Sequence, residues 1–551
     1  MILAVFLLGA AISRRQLRRR QEARIQTEWG KPGVSRDMDE EILADTARYW
    51  ESLRESIPVG TPLVDDITWN DLEMDAVLHA LNRTETTVGA EVLYAMLRNL
   101  SESEETLACR IRRMQALTED EAARLAVQRR LARLGKNPFH GAWAYLFHPA
   151  QRELPHQWAY VLLGALPIVL ALLGCFLHPA FFVAIVPAFL VNLLVFYLTQ
   201  AQWSGALASV RHLAEVFRCA RHLQSIPVQG MEDMAEELRA LCAKLKPLGR
   251  WDAMLDMKSI GDFAVVTEYM RIAFLLDMIA LGQLMSFLRK QHEALARLYA
   301  LVGELDALLS LASLRASLPF FCEAEWTEAR QVQAEELAHP MVASPVRNSM
   351  DWQQNVLITG SNASGKSTFL KAMALNAIFA QTIGICFAKR FSMPRCGVMS
   401  SMALRDHLLG GESYFIIEIK SLRRILFAVE EAQNRPILCF VDEILRGTNT
   451  EERIAASAAL LCYLESQNVL CMAATHDVEL TRLLQGYAQY HFREEMTEEG
   501  MTFPYRLLKG PCTTRNAIRL LAQMDFPAQV VAAADDMAAH FDEVGEWKLS
   551  D

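Results

Sequence analysis

No Asp, Glu, Lys or Arg occurs in residues 154–210 of this 551-residue chain. Core helices of a soluble protein seldom go so long without an ionised side chain on some face. No CxxC pair occurs among the eleven cysteines, an odd and scattered set, so neither a disulfide framework nor a zinc site is expected and a reducing cytoplasm is the simplest setting. Basic residues are not in excess. The 55 Lys and Arg against 65 Asp and Glu leave a net charge of −10, which gives no global electrostatic reason for nucleic acid or anionic lipid as a partner. No low-complexity tract or repeat of fixed period is apparent. What the chain has in quantity is apolar surface, 52% hydrophobic residues with a mean hydropathy of +0.12, in a length sufficient for two to four domains.

Within the uncharged stretch, residues 158–177 and 180–198 are each close to the twenty that cross a bilayer, with His178-Pro179 as the only turn between them. Trp158 and Tyr160 at the entry and Tyr197 and Trp203 at the exit would lie at one interface. Pro167, Pro187 and Asn192 fall inside the spans, where a neighbouring helix can satisfy the polar groups they free. The alternative is a pair of buried core helices. A transmembrane hairpin requires both of its ends to face one compartment.

A second apolar run, residues 2–12, is followed at once by Arg14, Arg15, Arg18, Arg19, Arg20 and Arg24. Eleven helical residues reach only about 16 Å, short of a full span, and the charge follows the run instead of preceding it as in a signal peptide. A membrane anchor with its arginines on the cytoplasmic side is the preferred reading, and a buried N-terminal helix the alternative. Residues 25–60 read as a polar linker with one helix. Helical periodicity dominates 61–134, with Leu72, Val77, Leu78, Leu81, Leu93, Met96 and Leu97 at three- and four-residue steps, and it returns over 211–318. The apolar run 269–288 is interrupted by Arg271, Asp277 and Gln283, which predicts a soluble packing helix, not a further span.

The C-terminal third carries the chemistry. Residues 356–371 read VLITGSNASGKSTFLK, an apolar strand, a loop with Gly360 and Gly365, and a helix opened by Ser367 and Thr368. This is the GxxxxGK[ST] pattern in the strand, loop and helix context it requires. The glycines let backbone N–H groups turn towards phosphate oxygens, and the helix N-terminus adds partial positive charge. Lys366 would reach the outer phosphates, and the Ser367 hydroxyl is the expected Mg²⁺ ligand. A buried-strand run, PILCFVDE, ends in Asp442, placed to hold the metal, and Glu443, placed to orient or deprotonate water. A third run, residues 469–474, leads to Thr475 and His476, the latter in a sensor position towards the terminal phosphate. Between them Gly410 and Gly411 precede Ser413, which reads either as an anion site at a helix N-terminus or as an ordinary N-cap.

These runs resemble the ATPase domain of the MutS family. The family's TGPNxxGKST is similar to Thr359, Gly360, Ser361, Asn362, Gly365, Lys366, Ser367 and Thr368, with Ser361 where proline is usual. Its DExxRGT resembles Asp442, Glu443, Arg446, Gly447 and Thr448; its ATH run resembles Ala474, Thr475 and His476; and its GxSxFxxE stretch resembles Ser413, Phe415 and Glu418. His339, Pro340 and Asn348 match positions before the P-loop, whereas the aromatic that stacks on adenine is not evident. More weakly, Asp71, Leu72 and Glu73 with Asn82, Thr84, Thr86 and Gly89 resemble the start of the family's helical core, and residues 304–312 the end of its lever. The resemblance implies an α/β P-loop ATPase of ABC-like, MutS type using ATP and Mg²⁺. It implies a homodimer in which Ser413 approaches the partner's nucleotide. No N-terminal mismatch-reading domain is expected, nor a Phe-x-Glu wedge of the kind that would insert an aromatic into a base step, nor a nuclease-like domain after the ATPase.

The expected organisation is an anchor with a basic flank (1–24), a linker (25–60), a helical core-like domain (61–150), the transmembrane hairpin (151–205), lever-like helices (206–335) and the ATPase domain (336–551). The expected function is a membrane-anchored MutS-family ATPase in a bacterial-type inner membrane, its ATPase domain in the cytoplasm, with two or three spans and with DNA as a candidate ligand of the levers. The alternative is a mechanochemical ATPase acting on a membrane partner without DNA.

Overall fold

A computed structural model of the chain describes residues 19–35, 40–136, 141–149, 154–249, 264–361, 364–402, 414–432, 435–497, 500–512 and 526–545, with a few isolated positions besides. The N-terminal apolar run, Asn362 and Ser413 lie outside the described residues. The chain divides into two compact units. One comprises Met1–Gly60, Leu78–Met96 and Ala108–Leu318; the other comprises Thr61–Val77, Leu97–Leu107 and Pro319–Asp551. Thr61–Val77 and Leu97–Leu107, which the periodicity places with the helical core, therefore group with the C-terminal part.

The first unit is helical throughout its described residues and is organised by two long helices, Ala180–Leu223 of 44 residues and Leu276–Ser317 of 42. Leu295, Leu298, Tyr299, Val302, Leu305, Leu308 and Leu309 recur at helical spacing on the second and are buried, which gives it an apolar stripe to pack on. The helix Thr87–Arg98 crosses it closely: a Cβ on Gly303 would lie 2.4 Å from Val92 Cγ2, and one on Gly89 2.3 Å from Asp306 Oδ2. Asp306 is fully buried and accepts hydrogen bonds from the Glu85 N–H at 3.0 Å, the Thr86 N–H at 2.8 Å and the Thr86 hydroxyl at 2.6 Å. These donors stand at the start of the helix, where backbone N–H groups have no partner within it. Arg83 adds hydrogen bonds to the Ser313 carbonyl and the Ser317 hydroxyl, each at 2.8 Å. The two weakest sequence resemblances, 82–89 and 304–312, thus meet at a single polar joint.

In the uncharged stretch, the helices Gln157–Phe176 and Ala180–Thr199 have mean hydropathies of 2.4 and 2.5, and only 17% of each is buried. Pro167 has no N–H to give the carbonyl four residues back, that of Leu163. The Asn192 side-chain amide donates to it at 3.0 Å and to the Ala273 carbonyl at 2.7 Å. The run 269–288 differs from its expected form. Instead of one helix there are two, Ala264–Ala273 and Leu276–Ser317, broken at Leu275 with φ +50°. Arg271 spans the break with two parallel hydrogen bonds to Asp277, at 2.9 and 2.7 Å.

The second unit is α/β. Its main sheet has six strands in the order β12-β9-β4-β8-β7-β6. They are β4 (Val356–Thr359), β6 (Gly397–Ser401), β7 (Ile437–Asp442), β8 (Val469–Thr475), β9 (Ala488–His491) and β12 (Leu508–Lys509). All neighbours are parallel except β12, which runs antiparallel to β9. Strands covered on both faces read as continuous apolar runs, the form 356–358, 437–441 and 469–474 take. A second sheet, β1-β5-β2-β3, joins β1 (Ala324–Trp326), β2 (Val332–Leu337), β3 (Asn348–Trp352) and β5 (Arg390–Met393). A small hairpin pairs β10 (Glu495–Thr497) with β11 (Gly500–Thr502). The segment Thr61–Val77 is tied to β6 by Asp71, whose Oδ2 accepts the Ser400 hydroxyl at 2.7 Å and the Met402 N–H at 3.0 Å.

Candidate nucleotide site

Register decides where the chemistry gathers. Thr359 at the end of β4 pairs with Thr475 at the end of β8, and Asp442 at the end of β7 pairs with Ala474. Three loops, beginning at Gly360, Glu443 and His476, therefore leave the sheet at the carboxyl ends of adjacent strands, the usual ligand edge of a parallel sheet. The helix Lys366–Thr382 starts there, with Gly365 as its N-cap at φ +106°. That value lies in the region that favours glycine. Gly360, at φ +146°, passes so near the next strand that a Cβ would lie 2.4 Å from the Phe492 carbonyl oxygen.

A cavity of about 590 Å³ opens over this edge, lined among others by Gly365, Lys366, Ser367, Thr368, Glu443 and Tyr505. Lys366 is buried and its ammonium donates to the carbonyls of Gly360 and Ser361 at 2.7 and 2.8 Å, so the loop holds the cation at its own mouth. Burial pushes the Lys366 pKa down, opposed by the carboxylates of Glu443 and Asp442. Burial likewise raises the Asp442 pKa, opposed chiefly by a hydrogen bond from the Ser367 hydroxyl. Asp442 Oδ1 is buried and has no hydrogen-bond partner among the described residues. An orphaned carboxylate oxygen beside a hydroxyl fits a hard cation with oxygen ligands, and the glycine-lined loop with its lysine fits a polyphosphate.

Glu443 is buried at φ +56°. Its Oε2 is ion-paired with Arg446 Nε, and its Oε1 lies 3.6 Å from His476 Nδ1. Leu445 also has φ +56°, so the turn after β7 stores backbone strain. Glu418, buried on the helix Tyr414–Glu431, pins this turn by accepting the Leu445 N–H at 2.5 Å. Burial raises the Glu418 pKa against the lowering effect of the Leu445 and Arg446 backbone hydrogen bonds. The geometry offers a buried carboxylate at the cavity wall with a cation and an imidazole beside it, a set suited to proton transfer.

The fold thus brings together Gly360, Gly365, Lys366, Ser367, Thr368, Asp442, Glu443 and His476 at one edge. Sequence reasoning missed the aromatic side of the cavity. Phe492 and Tyr505 both line it, and Asn348 fixes the second, donating to the Tyr505 carbonyl at 3.0 Å and accepting the Leu507 N–H at 2.8 Å. No spacing rule links Asn348 to a residue 157 positions away. The departure at Ser361 has a local partner: its hydroxyl donates to the buried Glu494 carboxylate at 2.9 Å.

Residues 356–542 match the family model of MutS domain V. The chain is 30% identical over 252 residues to the DNA mismatch repair protein MutS of Thermus thermophilus, which covers 45% of this chain and 30% of that one. It is 30% identical over 248 residues to the MutS of Natronomonas pharaonis, covering 43% and 28%, and 29% identical over 262 residues to the DNA mismatch repair protein msh3 of Aspergillus fumigatus, covering 44% and 23%. The chain therefore spans under a third of the length of the relatives it matches. The family likeness is thus to MutS through its domain V, at residues 356–542, and the matches to the MutS and msh3 proteins are of partial length.

Proposed function

We propose that the chain is a membrane-anchored MutS-type P-loop ATPase that hydrolyses Mg²⁺-bound ATP at a site completed by a second copy of itself. The observation that carries the reading is the Asp442 carboxylate, hydrogen-bonded to Ser367 with one oxygen orphaned, at the same strand edge as the loop that holds Lys366. Mg²⁺-bound ATP, when present, supplies the scissile phosphoanhydride and its charge-neutralising metal. The backbone N–H groups after Gly360 and the Lys366 ammonium bind the phosphates, the ammonium leaving the carbonyls of Gly360 and Ser361. Ser367 and Asp442 would hold the cation. Glu443, freed from Arg446, takes a proton from water at its carboxylate, and His476 steadies that carboxylate. Tyr505 and Phe492 offer apolar surface to the base. Ser413, by the family resemblance, comes from the partner subunit, which makes the dimer two-fold.

The two apolar helices, each long enough to span a bilayer and mostly uncovered, support the anchor. An inner-membrane location with the ATPase unit in the cytoplasm follows from the assignment of ATP as substrate. DNA held by the helical unit is a second reading, favoured by the names of the relatives and unsupported by the net charge of −10. The test is phosphate release by full-length protein in detergent. Lys366→Ala should abolish nucleotide binding, while Glu443→Gln should keep binding and lose about 10²- to 10⁴-fold in turnover, the range of a general base. Undiminished turnover in Glu443→Gln would refute the assignment. The ATP-trapped Glu443→Gln protein, offered homoduplex, heteroduplex and branched DNA at low salt, decides the DNA reading.

A further inference from the structure

A carbonyl without a donor is costly in hydrocarbon, so its partner marks what must stay together there. Asn192, on the second apolar helix and fully buried, gives its amide protons to two such carbonyls. One is freed by Pro167 within the hairpin; the other, that of Ala273, is freed by the break at Leu275 in a different segment.

Two glycines measure where that break sits. A Cβ on Gly164 would lie 2.3 Å from the Phe274 carbonyl oxygen, and one on Gly282 would lie 3.1 Å from Gln157 Cδ. From Gln157 to Gly164 the first helix rises about 10 Å, and from Phe274 to Gly282 the other segment covers about 12 Å. The two run side by side in opposite senses, with the break roughly 10 Å inside the base of the hairpin. Ile272 and Leu275 are buried in one cluster with Phe196, and Leu163 and Leu193 pack on it, so both apolar helices contribute to the seat. The charges that made 269–288 read as soluble cancel locally, since Arg271, partly buried, and Asp277, buried, form a bidentate pair. Tyr269 and Met270, just before the break, are 58% and 49% exposed, as are many apolar side chains of the hairpin.

We propose that this segment is re-entrant: the chain dips into the membrane leaflet at the base of the hairpin, turns at Leu275 under the hold of Asn192, and leaves as the helix Leu276–Ser317, with Met270 facing lipid acyl chains. This rests on the membrane reading of the hairpin. The partner is the bilayer, since Asn192 and Arg271 are both paired and Tyr269 and Met270 present exposed apolar side chains beside the break.

The test places the photoreactive residue benzoylphenylalanine singly at Leu166 in the hairpin, at Met270, and at Tyr463 on the ATPase unit. Each full-length protein is reconstituted in phosphatidylcholine vesicles, irradiated, and analysed by mass spectrometry for adducts on the acyl chains. Adducts at Leu166 and Met270, with none at Tyr463, are the expected result. Adducts at Leu166 without any at Met270 would overturn the re-entrant segment and leave the membrane hairpin standing. Loss at both positions would overturn the hairpin reading itself.

Discussion

Replacing Asp306 tests whether the polar joint between the helix Thr87–Arg98 and the long helix Leu276–Ser317 is a built connection. The carboxylate serves three donors, with Glu85 on Oδ1 and both groups of Thr86 on Oδ2. Asp306→Asn keeps one oxygen and turns an NH₂ group towards one backbone donor, a cost of about 1–3 kcal/mol. Asp306→Ala orphans all three donors and leaves a void, about 3–6 kcal/mol in total. The readout is hydrogen exchange of the amides 85–91 in the full-length protein, which does not require two-state unfolding. The Asn variant should exchange about 5- to 150-fold faster there, and the Ala variant faster still. Burial raises the Asp306 pKa from 3.8 to about 6, so the folded state binds this proton more tightly than the unfolded state. That stability is complete below pH 4 and is lost as pH rises to 6, about 3 kcal/mol in all. The gap between wild type and Asp306→Asn should therefore widen as pH falls from 6 to 4. Equal protection of these amides in all three proteins at pH 7 would refute the joint.

Glu91 obeys the same sign over a wider window. Fully buried and accepting the Tyr299 hydroxyl at 2.6 Å, it has its pKa pushed up to about 8 by burial, so wild type should lose stability between pH 4.5 and 8. Glu91→Gln keeps the acceptor and removes the titration; its Tm should gain on wild type across that window and run parallel above it, and a constant offset would sink the reading. Glu418 is the support of the strained turn at Glu443 and Leu445. Glu418→Ala should lower kcat for ATP hydrolysis about 10- to 100-fold with KM little changed, as expected of lost positioning, and an unchanged kcat would show the turn holds without it.

The nucleotide edge was legible because its parts are local. Parallel strands buried on both faces spell apolar runs, and the residues that matter stand at the ends of β4, β7 and β8, where each run stops. The hairpin was legible through missing charge. What the sequence hid depends on distant partners. Tyr505 reaches the cavity from beyond β11, and Asn348 alone hints at it. Asp306 and Thr86 each look like ordinary polar residues in helical stretches until the fold brings them within 2.6 Å. The break at Leu275 is hidden because apolar periodicity runs straight through it; only Asn192, on another helix, supplies the hydrogen bond that lets the backbone open.

The 44-residue helix Ala180–Leu223 begins as the second arm of the apolar hairpin and runs without a break into the helical core. At about 66 Å it works as a stiff rod, and a tilt of about 5° at one end would carry the other end by about 6 Å. The helix Leu276–Ser317 is built differently, because Gln291 leaves helical geometry at φ −122° and ψ 17° and supplies a compliant point partway along. The first rod has its one proline, Pro187, near the start, within the apolar arm. Sideways displacement at the hairpin would therefore reach the core end of the first rod at full lever length, whereas along the second it would meet a local departure from helical geometry at Gln291.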